Sequence, residues 1–303
     1  MHRLYTSVFE PGFFSSNPVH VAIVIGTMIA AVTAVVGVFT VMRGQSFGGH
    51  ALTDVSTAGG SGALLLGMSP LTGFVAGGIL GAGAMEAIGI RRARGRDLAT
   101  GIVLGAATGF AALFLYLDTT TGATTGATQQ ILFGSIFVIE SSTIPYVAIL
   151  GALTLALIAV LYRPLILSSV STDIAGARGV PVRLIGLLYM LALALSVGLS
   201  SLAIGTILST ALLIGPPATA LRLTKRMGWA VVVASLLGVG ATWLGVLLAY
   251  DSYYWGSGRN GMPVSFFIVA VVFLMYLLSG LPARRTATRR QSAPKSHVSV
   301  ADR

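Results

Sequence analysis

The sequence predicts an all-α fold, a polytopic transmembrane helical bundle of about eight or nine spans with its N-terminus outside and its C-terminus cytoplasmic. Composition is the first ground: of 303 residues, 55% are hydrophobic and only 9% charged, against about 25% charged in soluble domains. The second is length, since several apolar runs reach the ~20 residues a helix needs to cross a bilayer core. The third is where the cations fall. Alternating from an outside N-terminus, seventeen of the nineteen lysines and arginines lie on one side, leaving only Arg3 and Arg259 on the other. Such an excess marks the cytoplasmic side. A net charge of +10 therefore does not point to nucleic acid, because the basic residues sit in short clusters between apolar runs.

The elements follow in order. Residues 1–17 lack the basic region and short apolar core of a signal peptide and read as an extracytoplasmic segment. The transmembrane domain covers 18–281, with spans near 18–41, 50–68, 72–90, 98–117, 144–162, 184–201, 203–221, 228–249 and 264–281; the second and seventh are the least regular. Gly73, Gly77 and Gly81 in the third span form a small-residue ladder of the kind that lets helices approach closely. Thr119–Thr143 has a Thr/Gly-rich start and then an apolar run too short to span, which predicts an interfacial or re-entrant helix. Ser168–Leu184 is polar and rich in alanine and glycine, suited to a short helix against a soluble partner. Pro216 and Pro217 lie side by side in the seventh span, where each removes a backbone donor, marking a kink or hinge. Residues 282–303 form a basic polar tail, expected to be disordered near anionic lipid.

Chemistry is sparse. With no cysteine, disulfides and thiolate metal sites are excluded. No phosphate-binding glycine loop ending in Lys-Ser/Thr, no HExxH and no nucleophile elbow occurs, so the chain shows no machinery for ATP hydrolysis or covalent catalysis. Within the spans only Asp54 and Glu86 are acidic, and a charged side chain at the bilayer centre costs about 2.5–3.5 kcal/mol on insertion scales. Glu86 is close enough to Arg91, Arg92, Arg94 and Arg96 to pair with one or reach cytosolic water. Asp54 has His50 four residues before it in "GHALTDVSTAGG", which puts both on one helix face. The neighbouring residues are small and leave room for a water-filled path. An imidazole nitrogen with a carboxylate oxygen suits zinc, manganese or iron; a helix-locking hydrogen bond or a proton relay would use the same pair.

Four stretches together resemble the zinc/manganese permease family of ABC importers. "RGQSFGGHALTDVSTAGGSGALLLG" is similar to the family's second-span motif, built on a Gly-Asp-Ala-Leu-Ser-His-Ala core. "RGRDLATGIVLGAATGFAALFL" matches the acidic-then-glycine start of a later span with Asp97 and Gly101. "DIAGARGVPV" resembles the loop that docks on the ATPase, with Asp173, Ala175, Ala177 and Gly179 aligned. "ILSTALLIGPPATALRL" is close to the family's Pro-Ala-Thr-Ala segment; beyond these four, "AYDSYYWGSG" is similar to a family Ser-Tyr-Tyr near the last span. Two departures stand out. His50 occupies the family's aspartate position and Asp54 its histidine position, which keeps one nitrogen and one oxygen ligand on the face. In the docking loop the usual acidic pair is Ser171 and Asp173, with one anion missing.

The resemblance implies a cell-membrane permease subunit of prokaryotic type that moves a divalent metal ion inward by alternating access. Its partners would be a second copy of itself, a cytoplasmic ATPase dimer that carries the ATP, an extracytoplasmic metal-binding protein, and membrane lipid. No permanently bound cofactor is implied. Because imidazole must be neutral to ligate, uptake is expected to fall in acid. Rival readings are a related permease for a non-metal cargo, a membrane anchor, and an ion-gradient carrier that uses His50–Asp54 as a relay. The last would show paired broken helices in matching halves, which the sequence lacks.

Overall fold

Long runs of Ala, Val, Leu and Ile with few breakers leave the backbone no partner in lipid but itself, and helices are the result. A computed structural model describes residue 13 and residues 16–87, 93–121, 126–134, 136–255 and 261–280. Among these are eleven α-helices and no strand: α1 (Asn17–Met42), α2 (Ser46–Leu65), α3 (Pro70–Ala87), α4 (Ala93–Thr121), α5 (Ala127–Phe133), α6 (Ile144–Val170), α7 (Thr172–Ala177), α8 (Val182–Ile204), α9 (Thr206–Leu223), α10 (Met227–Ser252) and α11 (Val264–Ser279). Each of the nine expected spans coincides with a helix. Six of the helices are long and apolar enough to cross a membrane, while α3 and α11 are apolar but shorter. The second expected span, α2, falls outside both groups, because it carries His50, Asp54 and many glycines and hydroxyls.

α1 and α8 form the centre. They are apolar on nearly every side, as a helix surrounded by others must be, and the α8 span is 78% buried. One apolar cluster joins α1, α8, α10 and α11 through Ile25, Ile29, Leu199, Val246 and Ile268. A second joins α1, α2, α6 and α8 through Phe39, Leu52, Leu165, Tyr189 and Leu193. α2 and α3 pack as a close pair. A Cβ on Gly77 would stand 2.8 Å from the Val55 carbonyl oxygen and 2.9 Å from the Gly59 Cα, so the glycine ladder does what its spacing predicts.

The 119–143 stretch resolves into α4's last turn, the seven-residue α5 and two 3₁₀ turns at Ile136–Val138 and Ser141–Thr143. The short helix is wedged inward. Ile131 is buried against Phe74 and Leu115, and Thr206 on α9 donates to the Ile131 carbonyl at 3.4 Å. Gly134 and Gly205 have φ of 73° and 78° and lie backbone to backbone, so that a side chain on either would strike the other.

At the opposite end, Met42, Leu221 and Met227 share one cluster, and Arg43 reaches Ser168 and Tyr189. Arg43, Arg178, Arg183, Arg222, Lys225 and Arg226 lie at the termini of these helices or in the connections between them, and Arg163 lies within α6, seven residues before its end. Arg3, Arg259, Arg91, Arg92 and the tail 282–303 lie outside the described residues, as do the side chains of Glu86, Arg94, Arg96, Asp97 and Asp173.

Candidate functional site

The site begins with how α2 leaves α1. α1 ends in a turn whose Gly44 has φ of 63°; its N–H bonds the Val41 carbonyl at 3.1 Å, and the Gln45 N–H bonds the Thr40 carbonyl at 2.9 Å. This is the Schellman arrangement, which glycine favours because it tolerates φ > 0. α2 starts one residue later, a turn before the expected boundary, so His50 lies one turn into the helix. Gly49 is pressed against Leu213 of α9, where a Cβ would stand 2.9 Å from its Cδ2. That contact fixes the depth and rotation of the next residue.

α2 divides its polar groups between two faces. Thr53, Thr57 and Ser61 are buried and return their hydroxyls to carbonyls one turn back, at 3.0, 2.8 and 2.8 Å, so they need nothing else. His50, Asp54, Ala58 and Gly62 follow one another at four-residue intervals along a half-buried stripe. His50 Nδ1 lies 3.2 Å from Thr210 Oγ1 on α9. Asp54 Oδ2 accepts from Thr108 Oγ1 on α4 at 3.1 Å. The Thr108 hydroxyl also points at the Leu104 carbonyl, at 2.8 Å. It has one hydrogen for two acceptors, so Asp54 is only lightly held and keeps lone pairs for another partner. When His50 Nδ1 donates to Thr210, the Nε2 lone pair is left for a metal, the usual way an outer hydroxyl sets a ligand's tautomer.

His50 and Asp54 are therefore placed together, as their spacing predicts. Among the described residues no group of three His, Asp or Glu side chains gathers to hold a metal, so the pair is a partial ligand set. Thr108 and Thr210 are its hydrogen-bond partners, and sequence reading missed both. The only signal for Thr210 was its place two turns before the proline pair.

The expectation of only two acidic residues within spans is corrected by the helix lengths. α4 runs to Thr121 and α10 to Ser252, bringing Asp118 and Asp251 inside helices, both buried. The α4 helix outlasts its apolar run by several threonines, a boundary that composition places too early.

Pro216 and Pro217 are buried within α9, and the helix continues through them. Pro217 has no N–H to offer the Leu213 carbonyl, and that oxygen instead lies against Gly37 of α1, where any side chain would collide with it. The Thr219 hydroxyl takes up the Gly215 carbonyl at 2.8 Å.

The expected docking loop is the short helix α7. Ser171 caps it, its Oγ accepting from the Ile174 N–H at 3.3 Å, and Gly179, with φ of 75°, ends it. Ala177 and Ile174 are exposed, whereas Ala175 is fully buried against the bundle. Ala175 is thus an anchor of the loop, and the free surface belongs to its neighbours.

α4 is the least covered span, 22% buried. A Cβ at Gly101, Gly105 or Gly109 would meet nothing within 4 Å. Thr108 is exposed on the same helix.

The profile described as the ABC 3 transport family matches residues 16–280. The manganese import system permease protein ScaB of Streptococcus gordonii is 30% identical over 262 residues, 86% of this chain and 91% of the relative. The manganese transport system membrane protein MntC of Listeria innocua is 28% identical over 274 residues, 90% of this chain and 96% of that one. A solved structure described as PsaBC from Streptococcus pneumoniae in complex with Fab aligns with a TM-score of 0.79 over 96% of this chain and 100% of its own, at 24% identity. That likeness establishes the fold.

Proposed function

Because the chain belongs to the ABC 3 transport family, we propose that it is the membrane permease subunit of an importer that carries a divalent transition metal, manganese foremost, into the cytoplasm. The chain is a multi-pass protein of the cell membrane. The observation that carries the reading is the half-buried His50–Asp54 stripe, held on both sides by hydroxyls. A carboxylate left part-open within a membrane bundle needs a function to justify its cost. A passing cation is one: the pair replaces part of its water shell, and two ligands bind loosely enough to let it go. The donors are one nitrogen and otherwise oxygens, which favour harder ions such as manganese. The relatives whose names specify manganese transport support the same ion.

A second copy of the chain completes the path. The open side of α4 has glycines at four-residue spacing and an exposed Thr108 joined to Asp54. It suits close helix packing and water better than lipid. α7, at the basic end, is the dock for a cytoplasmic ATPase dimer that supplies ATP hydrolysis, and an extracytoplasmic binding protein delivers the ion. α9, with Pro216 and Pro217 below Thr210, is the hinge of alternating access.

The test is Mn²⁺ uptake by the assembled complex in proteoliposomes. Asp54→Ala and His50→Ala are each expected to lower uptake on the order of 100-fold, the upper range for disturbing a metal's surroundings, with assembly intact. Unchanged uptake in both would remove the pair from the mechanism.

A further inference from the structure

We propose that Arg43 is a positioning residue that carries movement of the docking helix α7 to the His50–Asp54 stripe; this rests on the permease reading above. Arg43 caps the C-terminal end of α1. Its Nη1 donates to Ser168 Oγ on α6 at 2.9 Å, and its guanidinium lies over the Tyr189 ring of α8, 5.1 Å from the centroid. Tyr189 is fully buried, and its hydroxyl is 2.8 Å from Thr40 Oγ1 on α1.

The hydrogens of this cluster can be assigned. Thr40 spends its own on the Val36 carbonyl at 3.0 Å, so Tyr189 donates to Thr40. Ser168 spends its own on the Leu165 carbonyl at 3.2 Å, so it accepts from Arg43. A planar guanidinium can present an edge to a hydroxyl and a face to a ring at once, which an ammonium cannot. One side chain therefore ties the same ends of α1, α6 and α8 together.

Chain continuity turns the tie into a linkage. Ser168 lies three residues before Ser171, the N-cap of α7. Arg43 lies three residues before Ser46, the first residue of α2, and seven before His50. The three-residue connection has no slack: the Schellman bonds of Gly44 and Gln45 close it, and the Gly49 N–H bonds the Gln45 carbonyl at 2.9 Å. A shift of the α6–α7 junction that draws on Arg43 must turn the first helical turn of α2. α2 could answer to α7 by a looser route through α8, but α7 meets α8 only slightly, whereas α6 runs straight into it.

The test uses the assembled complex of permease and ATPase and a single cysteine introduced as Ala58→Cys on the stripe, in a chain that has none of its own. In the parent, adding ATP is expected to change the rate of labelling by a water-soluble maleimide severalfold. Arg43→Gln and, separately, Ser168→Ala are expected to bring the ratio of rates with and without ATP to one. The ATPase should still co-purify and hydrolyse ATP, and Mn²⁺ uptake per ATP should fall at least fivefold. Arg43→Lys should recover only part of the ratio. A parental ratio in both variants, or uptake and hydrolysis falling in proportion with the labelling ratio unchanged, would overturn the linkage. If the parent shows ATP-dependent labelling but moves no Mn²⁺, the cargo assignment fails while the linkage is still judged by the labelling.

Discussion

α8 and α4 meet the same length requirement and end in opposite surroundings, 78% and 22% buried. α8 is surrounded by apolar side chains from α1, α3 and α6 and serves as the scaffold. α4 is open, and its exposed side differs in composition from that of the other open helix, α6. α6 shows what lipid asks for, with Tyr146, Ile149, Leu153 and Val160 exposed along it. α4 adds to its exposed Ile102, Phe110 and Leu113 a row of glycines and the Thr108–Asp54 bond. On the proposed dimer, exposure in this chain would have two meanings, contact with lipid along α6 and a surface for a second copy along α4.

Four substitutions sharpen or break that contrast. The largest effect belongs to the scaffold. Leu193→Ala on α8, where the side chain is fully buried, should cost about 2–5 kcal/mol, read as a clear drop in thermal stability in detergent micelles. Next, Gly105→Leu on α4 meets no neighbour in its own chain. It should leave that stability intact while separating the paired permease into single copies by light scattering; a dimer of normal strength would show that α4 faces lipid after all. Thr108→Val removes the hydroxyl from Asp54 without changing shape, and Mn²⁺ uptake should fall about 10-fold, as for other outer partners of metal ligands. An unaltered rate would make that hydrogen bond incidental. Smallest is Leu113→Ala on the exposed side of α4, expected to shift unfolding by no more than about 0.5 kcal/mol. A penalty near that of Leu193→Ala would erase the distinction between the two helices.

Much of the site was legible beforehand, for a geometric reason. Residues four apart share a helix face whatever surrounds the helix, so His50 and Asp54 were paired by spacing alone. The glycines at 73, 77 and 81 announced close packing for the same reason. What spacing cannot give is the identity of neighbours from other helices. Thr210 is 160 residues from His50 and Thr108 is 54 from Asp54, and no local pattern ties them. Ala175 looked like part of the docking surface because it sits in the matching motif, but helix rotation turns it inward. Asp118 escaped notice because helices end where capping and packing allow, which is not always where hydropathy drops.

The sequence by itself determined the class of the molecule, the approximate spans and the charge asymmetry, since each depends on transfer of side chains between water and lipid, a property of residues taken one at a time or in local runs. It also determined the single stripe on α2. Only the tertiary structure decided which face of each helix is covered, which hydroxyls hold the imidazole and carboxylate, and how Arg43 joins three helices. Those depend on the rotation and depth at which helices pack, set by contacts such as Gly37 against Leu213 and Gly59 against Gly77, between residues far apart in the chain.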